Sequence, residues 1–84
     1  MIDLLYFAWV RERIGIGEQR LELPIEVTTV AALLDWLATR TPGHAAALAD
    51  RSAIRIAVDQ DFAGLEDAVR PGSEVAIFPP VTGG

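Results

Sequence analysis

Apolar positions along the chain fall into short runs of two different periods. From Ile2 to Trp9, aromatic and branched residues (Ile2, Leu4, Leu5, Tyr6, Phe7, Trp9) recur with blurred alternation, the pattern of a central strand covered on both faces. Val10 to Ile16 then mixes Arg11, Glu12 and Arg13 with apolar residues and meets Gly15 and Gly17, which suits a short helical turn ended by glycine. Glu18 to Leu23 alternates toward its end and stops at Pro24, so it reads as a second strand paired with the first. Val30, Leu33, Leu34 and Leu37 form one helical stripe, with Thr28 or Thr29 available as its cap. That helix should end near Arg40, because Pro42 disfavours helical geometry at Thr41.

The second half is more finely divided. His44 to Asp50 is Ala-rich and suits another short helix, after which Ile54 to Val58 contrasts odd and even positions as a strand does. Asp59-Gln60-Asp61 resembles a turn into a short strand around Phe62. Pro71-Gly72 is a second turn, and Glu74 to Phe78 closes the series as a last strand. No internal repeat or low-complexity linker interrupts this order. It fits an α+β domain in which one main helix packs on one face of a mixed sheet of four to five strands, and a β-grasp arrangement is the economical form of that design.

Composition narrows the function classes. The 84 residues have room for a single domain, and scaling laws give ~4,900 Å² of folded surface against ~13,200 Å² unfolded, so only ~63% is buried. Yet 51% of residues are apolar, and mean hydropathy is +0.31, so some apolar surface should stay exposed for a partner. The net charge of −5 argues against nucleic acid and anionic membranes, which call for clustered cations. No run approaches the apolar length of a membrane span, and no leader pattern opens the chain, so a cytoplasmic protein is expected. With no cysteine there is no disulfide frame, thiolate metal site or thiol nucleophile. All seven basic residues are arginine, either because a GC-rich genome favours its codons or because an activated acyl group on this chain is better kept from amines.

Chemistry concentrates after the last strand. Residues 1–78 make the domain, and Pro79-Pro80-Val81-Thr82-Gly83-Gly84 an extended tail. Tandem prolines lack amide donors and hold an extended conformation, so the ladder should end there and the tail project. Two glycines can enter a channel too narrow for a Cβ and leave the last carboxyl carbon unhindered. A bare carboxylate is a poor electrophile, and adenylation by a separate ATP-using enzyme would activate it. Other residues carry plainer readings. His44 lacks partners that would make it catalytic or metal-ligating, and is expected at the surface or a helix end. Trp9 and Trp36 read as packing, and Asp59 and Asp61 as turn residues rather than a carboxylate pair. Gly15 and Gly17 lack the flanking pattern of a phosphate loop. Any of Phe7, Trp9, Phe62 and Phe78 left exposed is an interface candidate.

Phe78-Pro79-Pro80-Val81-Thr82-Gly83-Gly84, with Tyr6-Phe7-Ala8 and Arg11-Glu12 near the start, resembles the small subunit of molybdopterin synthase. The resemblance spans the whole chain, including the Leu33-Leu34-Leu37 helix, Val58-Asp59 and Gly72-Ser73-Glu74-Val75. The family commonly has Asn where Asp59 stands and an acidic residue where Ser73 stands, differences that bear on local stability. The resemblance implies a ubiquitin-like sulfur carrier with no active site of its own. Its Gly84 would be adenylated by an E1-like enzyme using Mg-ATP, then converted to a thiocarboxylate by a sulfur donor protein. The group would deliver sulfur to a pterin precursor inside the large catalytic subunit, in a heterotetramer, with Phe78, Pro79, Pro80, Val81, Thr82 and Gly83 contacting the partner. No cofactor bound by the chain itself is expected. Carriers of thiamine or cysteine synthesis share the Gly-Gly ending, as do ubiquitin-related modifiers that acylate lysines.

Overall fold

The computed structural model describes residues 1–80, so the expectations for Val81, Thr82, Gly83 and Gly84 lie outside the described residues. Five strands, β1 (Ile2–Tyr6), β2 (Glu18–Leu21), β3 (Arg55–Val58), β4 (Asp61–Ala63) and β5 (Glu74–Phe78), form one sheet in the order β2-β1-β5-β3-β4. Strands β1 and β5 lie side by side and parallel, with Leu5 opposite Ala76 and Tyr6 opposite Ile77, while the other pairs are antiparallel. Helices α1 (Ala8–Ile14), α2 (Val30–Ala38) and α3 (Pro42–Ala47), with one turn of 3-10 helix at Arg51–Ala53, complete the chain.

Ile2, Leu4 and Tyr6 of β1, Val75 and Ile77 of β5 and Ile56 of β3 are buried in one core with Val30, Leu33, Leu34 and Leu37 of α2. Each such aliphatic side chain contributes ~1.5–3 kcal/mol by leaving water. Thr29 caps α2, its hydroxyl accepting from the Ala32 N–H at 3.2 Å. Gly15 ends α1 at φ +98°, a left-handed cap whose N–H donates to the Arg11 carbonyl at 2.8 Å. A mixed sheet of this order, with the long helix across one face, is a β-grasp fold.

Three local expectations need correction. β1 is central in the sheet, but it is covered on one face only: Asp3 is exposed and Leu5 half-buried on the other. Its alternation is blurred because that outer face itself carries apolar residues. Trp9 does not end the strand; β1 stops at Tyr6, and Trp9 lies in the first turn of α1. Helix α3 begins at Pro42 rather than His44, with Thr41 as cap and proline in the first turn, where its missing N–H costs nothing.

The hairpin at Asp59-Gln60 is a two-residue turn with φ of +50° and +74°, the doubly left-handed form that matches strand twist. Asp59 also ties this turn to β5. Its carboxylate accepts from the Glu74 N–H at 2.9 Å, and its own N–H donates to the Glu74 carbonyl at 2.8 Å. An asparagine side chain could accept the same bond. Ser73, 7% exposed, accepts from the Arg70 N–H through its hydroxyl at 3.3 Å, closing the second turn, where Gly72 has φ +92°.

Candidate functional site at the end of strand β5

Strand β5 brings the chain to Phe78, Pro79 and Pro80, all half-buried, at the edge of the uncovered sheet face. Register builds that face. Leu5 lies opposite Ala76, Ala76 opposite Ala57, and Ala57 opposite Phe62, giving an apolar row across four strands. Phe62 is 82% exposed on the edge strand, and its ring sits 6.1 Å from that of Phe78. Arg55, Ile56, Ala63 and Pro80 line a shallow hollow beside these two rings. On the other side, Phe7 is 48% exposed and its N–H donates to the Ile77 carbonyl at 3.1 Å, one residue before Phe78.

Exposed aromatic rings of this size are unusual on an isolated small domain and mark a surface built for a partner. Phe7, Phe62 and Phe78 therefore share one end of the sheet with the base of the tail, and Trp9 does not. Trp9 is half-buried with the Arg13 guanidinium 4.5 Å over its ring, and Trp36 is covered likewise by Arg40 at 5.3 Å. The outer face turns acidic toward β2, where Asp3, Glu18 and Glu74 surround Arg20, itself 3.3 Å from Asp3. This rim suits polar and charged contacts around an apolar centre.

Ala8, the residue after Phe7, has φ +53°, a left-handed conformation that strains any residue with a Cβ. The turn it makes sends the chain from β1 into α1 and leaves Phe7 at the surface. Sequence reading had no signal for this strain. Asp59 and Asp61 serve the hairpin, as expected, and among the described residues no group of acids, histidines or cysteines is placed to hold a metal ion. Among the described residues no helix is long and apolar enough to cross a membrane.

His44 lies at a helix end, one of the two places expected for it, and differs from expectation in its burial and its partners. It lies in α3 and is 3% exposed, not at the surface. Its Nε2–H donates to Gln19 Oε1 at 3.0 Å, and its Nδ1 accepts from the Thr41 hydroxyl at 2.7 Å. Because Gln19 Oε1 also accepts from the Tyr6 hydroxyl at 2.8 Å, that oxygen can only be an acceptor, which assigns the ring proton to Nε2. Burial, with Arg40 nearby, holds the imidazole pKa below its usual value. The signal was present in Thr41-Pro42-Gly43-His44: a capping threonine and a proline at the first helical position place His44 inside the first turn.

A β-grasp domain whose last strand runs into a double proline beside an exposed aromatic cluster has the architecture of the ubiquitin-like proteins. The model of the ThiS family matches residues 4–84, and the chain belongs to that family. The molybdopterin synthase sulfur carrier subunit of Haemophilus influenzae is 39% identical over 84 residues, covering 100% of both chains. The human protein of the same name is 37% identical over 99% of this chain and 93% of its own. Among solved structures, SAMP1 from Haloferax volcanii superposes with a TM-score of 0.74 at 29% identity, over 99% of this chain and 98% of that one.

Proposed function

We propose that this chain is the sulfur-carrier subunit of a molybdopterin synthase. The observation that carries the reading is the similarity to relatives of that name over 99–100% of this chain, at 37–39% identity. In this reading an adenylating enzyme binds Mg-ATP, and the Gly84 carboxylate attacks the α-phosphorus, releasing pyrophosphate. The terminal sulfur of a persulfide on a sulfur donor protein then displaces AMP from the acyl carbon, and a second thiol cleaves the resulting acyl disulfide, leaving a thiocarboxylate and a disulfide between the two thiols. Carried into the large catalytic subunit, the ionised sulfur displaces an oxygen substituent from a carbon of the pterin precursor, and water then cleaves the acyl–sulfur bond to return the Gly84 carboxylate; the large subunit supplies the acid, base and anion-binding groups.

The geometry supports a division of labour. The rigid sheet end presents Phe78, Pro79 and Pro80 and the apolar row, giving a partner a surface to hold. Val81, Thr82 and Gly83 then need no chemistry of their own beyond fitting a narrow channel, and Gly84 supplies only its terminal carboxylate. The partner is the large subunit, in a heterotetramer, and the adenylating enzyme uses the same end of the domain in turn. The reaction belongs to the cytoplasm, where ATP and reduced sulfur donors are available.

The test is intact mass after incubation with Mg-ATP, a cognate adenylating enzyme and a sulfur donor, with the change located by fragmentation. Replacement of one oxygen by sulfur at Gly84 is expected. Deleting Gly84 should abolish sulfur transfer and leave the circular dichroism spectrum intact. An active deletion variant overturns the reading, and isopeptide conjugates to lysines in place of the thiocarboxylate would make the chain a modifier instead.

A further inference from the structure

Four of the seven arginines have a carboxylate or an aromatic ring as partner. Arg20 and Arg51 pair with Asp3 and Asp35. Arg13 and Arg40 cover the rings of Trp9 and Trp36. Of the others, Arg11 lies against Gly17, where an added Cβ would meet its Nε at 3.0 Å. Arg70 stands before the Pro71-Gly72 turn, at the end of the sheet where β5 begins and away from the tail. Arg55 differs from all of these because it stands on the uncovered sheet face beside the tail base.

Arg55 opens β3 directly opposite Phe78. It is exposed while Ile56 after it is buried, so strand alternation puts Arg55 on the uncovered face. With Phe62, Phe78 and Pro80 it lines the hollow from which the tail departs. Its Nη1 donates to the Ile54 carbonyl at 2.8 Å and the Ser52 carbonyl at 3.2 Å, which anchors one corner of the guanidinium. Its Nε–H and Nη2 have no acceptor among the described residues. The chain has twelve acidic residues, yet none lines this hollow. Asp61, next to Phe62 on β4, alternates to the other side of that strand.

Whatever covers the hollow has to answer that charge. A partner that closes over Phe62 and Phe78 strips water from the guanidinium beside them, and its two remaining donor nitrogens then need acceptors. A carboxylate offers two oxygens at the spacing of the planar fork, together with the opposite charge. An apolar or basic surface would bury the cation unpaired, so the same side chain excludes wrong partners.

We propose that Arg55 is a specificity-determining residue of this face, receiving an aspartate or glutamate carboxylate of the large catalytic subunit through Nε and Nη2. The pair forms as the tail base is seated. Its site is continuous with Phe78 and Pro80, which the sulfur-carrier reading assigns to that subunit, and the proposal rests on that reading. A charge pair closed off at one side of the apolar row fixes the register of the domain on its partner, which apolar contacts alone do not.

The experiment is titration calorimetry of the full chain against the large subunit, comparing wild type with Arg55→Leu and Arg70→Gln. Arg55→Leu keeps the hollow apolar and, at an exposed position, should leave the urea midpoint nearly unchanged. It should weaken Kd by at least about tenfold, because the partner carboxylate is left buried and unpaired. Arg70→Gln removes the same charge at the far end of the sheet and should change Kd by no more than about threefold. Among Asp→Asn and Glu→Gln variants of the large subunit's surface, one should weaken binding of the wild-type chain and not that of Arg55→Leu. A smaller loss in Arg55→Leu, an equal loss in Arg70→Gln, or the absence of such a carboxylate overturns the proposal and leaves the carrier reading standing. Failure of the wild-type chain to bind the large subunit overturns both.

Discussion

Gly43 sits where α3 crosses α1, and a Cβ built on it would lie 2.4 Å from the Arg13 carbonyl oxygen. That contact is with backbone, so no side chain can swing aside to relieve it. Gly43→Ala is expected to push α3 off α1 and destabilise the fold by ~1–3 kcal/mol, the range of overpacked cores, read as a shift of the urea midpoint at unchanged slope. His44 is the next residue, so the same variant should also disturb its buried hydrogen bonds to Thr41 and Gln19. Nothing in a lone glycine between proline and histidine announces a helix contact; the requirement exists only because two helices from different parts of the chain meet there.

The end of β5, as an element, has two aromatic rings with different duties. Phe62 on the edge strand is 82% exposed, so Phe62→Ala should change stability by no more than about 0.5 kcal/mol. Phe78 is half-buried and begins the route to Pro79 and Pro80. Phe78→Ala is expected to weaken binding to the large subunit more than it lowers stability. Titration calorimetry against the large subunit, run beside chemical denaturation, separates the two. Equal losses in both would make Phe78 part of the core and shift the interface toward Phe62 and Phe7. The strands themselves were legible from alternation, and α2 from its Leu stripe. Whether Phe7, Phe62 and Phe78 shared a surface was not, because each lies on a different strand or turn and strand order is not written in local periodicity.

For the whole molecule, three groups set the pH range of stability. His44 has a pKa below its usual 6.5, held there by burial and by Arg40. The unfolded chain therefore binds more protons, and stability is full above about pH 6.5 and falls as pH drops through the folded value. Hydrogen bonds from Ser52 lower Asp50 below its usual 3.8, so its contribution is present above that value and lost in a separate, more acidic step. Burial raises the Tyr6 phenol above its usual 10.0, so stability declines again in strong alkali as it ionises. Thermal melts from about pH 3 to about pH 11 should trace a dome, with its first acid-side loss absent in His44→Gln. An acid limb unchanged by that substitution would show that His44 is not the group responsible.

The sequence by itself determined the elements and supplied the proposal for the ending. Period and punctuation located the strands and the main helix, because those signals are local: a Leu stripe, a capping threonine, a proline that stops a ladder. The proposal that Pro79 to Gly84 carry the chemistry also comes from residue type, because an unhindered acyl carbon is a property of glycine. Tertiary structure alone decided the rest. It placed β5 beside β1, and so put Phe7, Phe62 and Phe78 at one end of an uncovered face. It also buried His44 against Gln19, a residue 25 positions away. Such pairings depend on which elements pack together, and side-chain chemistry carries no record of a neighbour the chain brings from a distance.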